Sequence, residues 1–225
     1  MTCKSYTGRA NINIYNGDCM EFMRESKIKY NLAIIDPPYG INADVKNNGK
    51  NSERHEKTSK AKINTYKKTN WDSAIPTNDY FDKLFDFTQR QIIWGANYFG
   101  LSGGMLYWHK DVTMPTYSSG ELAWLSWLNK IDFVNITWHG MLQNDMQNKE
   151  IRFHPTQKPV ALYKWLLTNY AKQGDKILDT HGGSMSIAIA CWDLGFDLDI
   201  IELDKDYYDK AVQRFERHIN QKQIF

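Results

Sequence analysis

Four apolar residues, Leu32-Ala33-Ile34-Ile35, run straight into Asp36-Pro37-Pro38-Tyr39. Each proline fixes its own φ, lacks an N–H and biases the residue before it towards extended backbone, so the tetrapeptide is a stiff corner that a sheet interior rejects. The corner therefore belongs at the carboxyl end of a buried strand. In open α/β sheets that is the end where ligands bind.

The residue types at this elbow suit one kind of chemistry. An exocyclic amine on a nucleobase is a poor nucleophile because its lone pair is delocalised into the ring. Two acceptors on its two N–H bonds localise that pair, and the Asp36 carboxylate and Pro37 carbonyl are such acceptors, with Pro38 fixing their shape. Tyr39 offers a ring on which a flipped base can stack, a contact worth roughly 1–3 kcal/mol. A strand-terminating turn with an incidental tyrosine is the plainer alternative.

A second cluster bears on that choice. His154-Pro155-Thr156-Gln157-Lys158-Pro159 precedes an amphipathic stretch, 160–171, with Leu162, Leu166, Leu167 and Tyr170 at helical spacing. Lys176-Ile177-Leu178-Asp179 then reads as a strand, followed by Thr180-His181-Gly182-Gly183-Ser184 and a helix over 185–194. A strand, a glycine turn and a helix start bring unpaired N–H groups towards an anionic ligand group. Roughly 20 residues further on, Glu202 ends another strand, where an acid can grip ribose hydroxyls. This half of the chain reads as a nucleoside-cofactor site.

Taken in order, these motifs resemble the β-class DNA amino-methyltransferases, most closely the compact adenine-N6 type of bacteria and phages. Gly17-Asp18-Cys19, the stretch 91–99 (Gln-Ile-Ile-Trp-Gly-Ala-Asn-Tyr-Phe), Leu106-Tyr107-Trp108-His109-Lys110 and Gly120-Glu121-Leu122-Ala123-Trp124 extend the resemblance over most of the chain. It implies a Rossmann-like S-adenosylmethionine-dependent fold: one circularly permuted domain over 1–225, with a mostly parallel sheet, helices on both faces and an antiparallel edge strand. It places the target amine at Asp36, Pro37, Pro38 and Tyr39. It sets His154, Thr156 and Lys158 at the methionine end of the cofactor, Asp179 on its amino group, Glu202 on its ribose and Asp18, beside Cys19, on its adenine. His181, Gly183 and Ser184 complete the cofactor wall. The family pattern Asp-Pro-Phe-x-Gly-Ser-Gly-Thr becomes Asp179-Thr180-His181-Gly182-Gly183-Ser184-Met185-Ser186, so a methionine stands at a glycine position.

The implied reaction is methylation of adenine N6 in double-stranded DNA. Cytosine N4 uses the same amine chemistry, but its corner usually starts with Ser where Asp36 stands. A homologue that has lost catalysis is a further alternative, against which the intact elbow argues. A second copy of the chain and a cognate restriction nuclease are the partners such proteins suggest.

Local charge adds to this, since the overall +2 says little about partners. Across the Asn- and Lys-rich stretch 41–75, Lys46, Lys50, Arg54, Lys57, Lys60, Lys62, Lys67 and Lys68 outnumber the acids. The stretch reads as a mobile loop beginning right after the elbow, where basic side chains neutralise DNA phosphates; a solvated surface excursion is the alternative. The polar segment 111–152 leaves little room for a large target-recognition region, so a short or relaxed recognition site is expected.

A chain of 225 residues, 42% of them hydrophobic, can bury one sizeable core. Cys3, Cys19 and Cys191 lack metal-ligand spacing, so no metal is expected, and none sits in a Pro-Cys corner for cysteine-dependent cytosine chemistry. With no apolar run near the roughly 20 residues that span a bilayer, a cytoplasmic protein is expected. Strands are predicted at 10–15, 30–35, 91–94, 105–108, 133–138, 176–179 and 198–202, with 133–138 the candidate antiparallel edge. Helices are predicted at 19–24, 80–88, 122–128, 160–171, 185–194 and 205–219.

Overall fold

The computed structural model describes residues 1–43, 69–112, 118–139 and 141–221. In chain order the strands are β1 (Thr2–Tyr6), β2 (Ile12–Asn16), β3 (Leu32–Ile35), β4 (Gln91–Trp94), β5 (Gly104–His109), β6 (Gly120–Leu125), β7 (Ile131–Asn135), β8 (Trp138–His139), β9 (Leu142–Gln143), β10 (Lys176–Asp179) and β11 (Asp197–Glu202). The α-helices are α1 (Cys19–Glu25), α2 (Asn78–Phe87), α3 (Val160–Tyr170), α4 (Ser186–Leu194) and α5 (Lys205–Asn220). Among the described residues, nine strands form one sheet in the order β1-β2-β11-β10-β3-β4-β6-β5-β7, and β8 and β9 make a separate pair.

Pairing is parallel from β2 through β11, β10 and β3 to β4. The two reversed strands are β1, antiparallel at one edge, and β6, antiparallel to both β4 and β5. The mostly parallel sheet with an antiparallel edge strand is thus present, but the edge strand is β1. The segment predicted for that role forms β7 over Ile131–Asn135, which pairs parallel to β5.

The central strands are buried on both faces, as parallel strands between helical layers must be. Leu32 and Ile34 join Ile92, Trp94, Ile177, Leu198 and Ile200 in a core closed by α3, α4 and α5. Their alternating neighbours Ala33, Ile35, Ile93, Leu178 and Ile201 face the other way, against Phe22, Met23, Tyr80, Leu84 and Phe87 of α1 and α2. The sheet therefore has helices on both faces. Helix α5 shows the expected spacing, burying Tyr207, Tyr208, Ala211, Val212 and Phe215, and Asp204 caps it by accepting from the Asp206 and Tyr207 amides at 2.8 and 3.1 Å.

One predicted element is wrong in type. Residues 122–128, expected as a helix, lie mainly in β6, between β4 and β5. A short apolar run carries no period that separates a helix from a strand buried on both faces. Here two strand partners decide: Leu125 lies opposite both Ile92 and Gly104, and Ala123 opposite both Trp94 and Leu106. Strand β1 was not predicted, since its residues are almost all exposed and leave no apolar pattern. No helix of the described residues is long and apolar enough to cross a membrane.

Candidate functional site

The carboxyl ends of β2, β3, β10 and β11 open onto one cavity of about 570 Å³, within the usual range for small-molecule sites. Gly17, Asp18 and Cys19 line it, as do Asp36 and Pro38, His154, Thr156 and Lys158, the turn 180–184, and Glu202. Residues from both halves of the chain thus meet around one space. A second cavity of about 820 Å³ lies beside it, lined by Tyr39, Tyr98, Tyr107, Trp108, Glu121 and Trp138 among others. Thr156 and Lys158 line both. Asp36 therefore faces the first space and Tyr39 the second.

The elbow is held by its own side chains and by a residue far along the chain. Tyr39 donates its hydroxyl to Asp36 Oδ1 at 2.5 Å, and Lys158 Nζ lies 2.5 Å from Asp36 Oδ2 and 3.3 Å from the Tyr39 hydroxyl. Each carboxylate oxygen has two lone-pair directions, so each keeps one acceptor site open. The Tyr39 ring stacks on the Tyr98 ring, centroids 4.8 Å apart and planes 15° apart. The face offered to a base from that side thus carries Tyr98, which must move for a base to stack there. Gly95, at φ +78°, fits against the same ring: a Cβ there would lie 2.3 Å from Tyr39 Cε1.

Asp72 fixes the outgoing chain. Its buried carboxylate accepts from the Tyr39, Gly40 and Ala43 amides at 2.7, 2.9 and 2.8 Å. Hydrogen bonds to a charged group are each worth roughly 1.5–3 kcal/mol. Asp72→Ala is expected to lower kcat by at least about tenfold with a much smaller change in cofactor affinity, because it loosens Tyr39 and leaves the cofactor wall intact; steady-state kinetics with a binding isotherm checks this.

On the cofactor side, Asp179 accepts from the His181 amide at 2.9 Å, and Glu202 accepts from the Gly183 and Asp204 amides at 2.6 and 2.7 Å. Both acids are nevertheless raised. Burial, opposed by the His181 amide and reinforced by Asp36 and Glu202, pushes Asp179 up to about 8. Burial pushes Glu202 up to about 7. His154 is buried between Trp71 and Tyr207, with ring centroids 5.4 and 4.4 Å away; burial and the neighbouring Lys158 charge lower it to about 3, so it is neutral. Burial likewise holds His181 neutral, at about 4, where its Nδ1 lies 3.0 Å from Thr180 Oγ1. Thr180 in turn lies 2.6 Å from the Tyr80 hydroxyl.

The remaining cofactor candidates have local duties as well. Asp18 caps α1, accepting from the Met20 amide at 2.6 Å. Burial pushes the Cys19 thiol up to about 12, so it is no nucleophile at neutral pH. The buried Ser184 lies 3.1 Å from the Ser186 hydroxyl. Met185 takes φ +55°, the left-handed backbone a glycine accepts freely, at a cost of roughly 1–2 kcal/mol for an L-residue. That is the physical meaning of the glycine-to-methionine departure: the turn keeps its shape and the side chain is buried in the core.

Four contributors carry no assigned role in the sequence. Glu121 and Lys110 extend the charge cluster behind Lys158, and Trp71 and Asp72 roof the cavity and clamp the elbow. A lone acid opening the apolar run of β6 was the available signal for Glu121. Lys46, Lys50, Arg54, Lys57, Lys60, Lys62, Lys67 and Lys68 lie outside the described residues.

Comparison with known proteins decides the family. The model described as DNA methylase, of the N6/N4 methyltransferase family, matches residues 59–213, more than half of the 225-residue chain. The chain belongs to the N6/N4 DNA methylase family. Its reaction class is accordingly methylation of a base amine in DNA, at N6 of adenine or N4 of cytosine. This methylase is 25% identical to the type II methyltransferase M2.MboI of Moraxella bovis, over 94% of the chain and 93% of that protein. It is 34% identical to M.HpaI of Haemophilus parainfluenzae over 73 residues, a stretch covering 32% of the chain and 23% of that protein. Among solved structures it shares its fold with the M1.HpyAVI–SAM complex, at TM-score 0.57 and 19% identity over 90% of this chain and 99% of that one. It shares it equally with the cytosine-N4-specific PvuII DNA methyltransferase, at TM-score 0.61 and 14% identity over 94% and 91%.

Proposed function

We propose that this methylase transfers a methyl group from S-adenosylmethionine to the N6 amine of adenine in double-stranded DNA. The observation that carries the reading is the elbow's position as a partition: Asp36 borders the cavity of the nucleoside-type wall, Tyr39 borders the aromatic cavity beside it, and both contact Lys158.

The first cavity fits S-adenosylmethionine in chemistry as well as in size. Two buried carboxylates, Asp179 and Glu202, stand raised by burial, a condition that a ligand carrying an ammonium group and a ribose diol relieves. Asp179 would hold the amino group, Glu202 the ribose, and Gly17 and Asp18 would border the adenine. When bound, the cofactor supplies an electrophilic methyl group on a sulfonium. What the chain contributes is alignment and charge. Asp36 and the Pro37 carbonyl accept from the two amine N–H bonds, localising the lone pair, and the Asp36 carboxylate stabilises the positive charge that develops on the amine. Tyr39 and the aromatic cavity hold the base and keep water away.

An acid at the first elbow position supports adenine, because it is the residue by which this chain resembles the adenine-N6 type. Incubating double-stranded DNA with the protein and methyl-labelled cofactor, then digesting to nucleosides, tests the reading. The expected product is N6-methyladenine; label in N4-methylcytosine, or none, overturns the adenine assignment. Phosphate contacts by the basic side chains of 46–68, a relaxed recognition site, self-association and pairing with a nuclease belong to the same proposal.

A further inference from the structure

The family resemblance sets Lys158 at the methionine end of the cofactor, yet its ammonium group sits on the elbow. It is only 3% exposed, 2.5 Å from Asp36 Oδ2, 3.3 Å from the Tyr39 hydroxyl and 3.1 Å from Glu121 Oε2. The Trp94 ring lies beneath it at 5.2 Å. Glu121 Oε1 is taken by Lys110, which lies 4.8 Å over the Trp108 ring. Two carboxylates and two ammonium groups thus alternate from the elbow across to β6 and the end of β5.

We propose that this four-residue chain is a charge clamp on the target amine's acceptor: Lys158 keeps Asp36 an oriented anion, and Glu121, secured by Lys110, is a positioning residue that sets how strongly Lys158 does so. The proposal rests on the reading of the elbow as the methyl-transfer site and adds what that reading lacks, the cation that opposes protonation of a buried acid. Both Asp36 oxygens are accepting, one from a hydroxyl and one from an ammonium group, which is the geometry of a carboxylate.

The clamp works against burial. Asp36 stands above the ordinary carboxylate range even so: desolvation raises it most, Lys158 opposes the rise, and Glu121 adds to it. Glu121 is itself desolvated but has two cations, Lys158 and Lys110, and is held down to about 2. The other titratable groups around Asp36 are Tyr39 of the elbow, Asp179 at the end of β10, Tyr163 of α3 and the neutral His154. None of these carries a positive charge. Among the described residues Lys158 is therefore the cation on which the acceptor's ionisation depends, and Glu121 competes with Asp36 for it.

The test is the pH profile of kcat at saturating cofactor and DNA for wild type, Lys158→Met, Lys158→Arg and Glu121→Gln. An opposite charge at this range moves a carboxylate by about 1–3 units. Lys158→Met is expected to move the acid limb up by about that much, with partial recovery in Lys158→Arg. Glu121→Gln, which removes the competitor, is expected to move it down. Should Glu121→Gln not fold, Lys110→Met serves instead, moving the limb up because a positive charge is lost behind Glu121. Acid limbs that coincide with wild type, or that move the same way for Lys158→Met and Glu121→Gln, overturn the proposal. So does a Lys158→Met variant whose only defect is a raised KM for the cofactor, which would return Lys158 to a cofactor ligand. A wild-type protein without methyl transfer is a separate result that removes the elbow reading itself.

Discussion

Asp36→Ala is expected to abolish methyl transfer, lowering kcat by about 10²–10³-fold or more, while cofactor affinity changes only a few-fold. The magnitude is that of removing one preorganised group aimed at charge that develops in the transition state. The selectivity follows from placement. Asp36 stands at the end of β3, one strand over from Asp179 at the end of β10 and two from Glu202 at the end of β11, the acids proposed to hold the cofactor, and its two oxygens engage Tyr39 and Lys158. Losing the carboxylate leaves Lys158 paired with Glu121, so the variant should fold. Single-turnover methyl transfer and a cofactor binding isotherm on the same preparation separate the two effects. Turnover near the wild-type rate, or a cofactor affinity lost together with turnover, would remove Asp36 from the role given to it.

The second large effect is in pH. Asp179 and Glu202 are raised to about 8 and about 7 in the folded protein, burial being the largest cause for each. A carboxyl raised by folding contributes stability that is full below its unfolded value and is lost as pH rises through its folded one. The ligand-free protein should therefore lose stability from these two groups between about pH 4 and 8. A ligand that brings a cation to Asp179 and hydroxyl donors to Glu202 selects the ionised forms, so its affinity must rise with pH over the same window. Between pH 6 and 7.5 the dissociation constant for S-adenosylmethionine is expected to fall by roughly tenfold or more, below the range, about 7.7–8.0, where the ligand's own α-amino group titrates. The rise in Tm on adding cofactor should likewise be larger at pH 7.5 than at pH 6. Asp179→Asn should weaken binding and flatten the slope. A binding constant independent of pH in the wild type would show that neither acid grips the ligand.

How far the chain could be read without coordinates follows from what kind of signal each residue leaves. The central strands were legible because 32–35, 91–94 and 176–179 are short, apolar and end in turn-forming residues, and α5 was legible from its 3.6-residue apolar period. Strand β6 was not: Leu122, Ala123, Trp124 and Leu125 are as apolar as a buried helix turn, and only their two lateral partners make them a strand. The candidate site divides the same way. Asp179 and Glu202 each end a strand and Asp36 directly follows one, the positions at which ligands bind in such sheets. Asp72, Glu121 and Lys110 act through contacts with residues up to 37 positions away, such as Lys158 with Glu121, and separation of that kind leaves no local pattern. Tyr98 looked like loop; only the packing that stacks it on Tyr39 gives it meaning.

Whether the cofactor and the target base approach the elbow from opposite sides is decided by a structure with S-adenosylmethionine and an adenine-containing duplex bound. The cofactor's amino group is expected on Asp179, its ribose on Glu202, and the base in the aromatic cavity with its amine within hydrogen-bond range of Asp36 and the Pro37 carbonyl. A base and a cofactor lying in the same cavity, or a cofactor seated against Tyr98 and Tyr107, would contradict it.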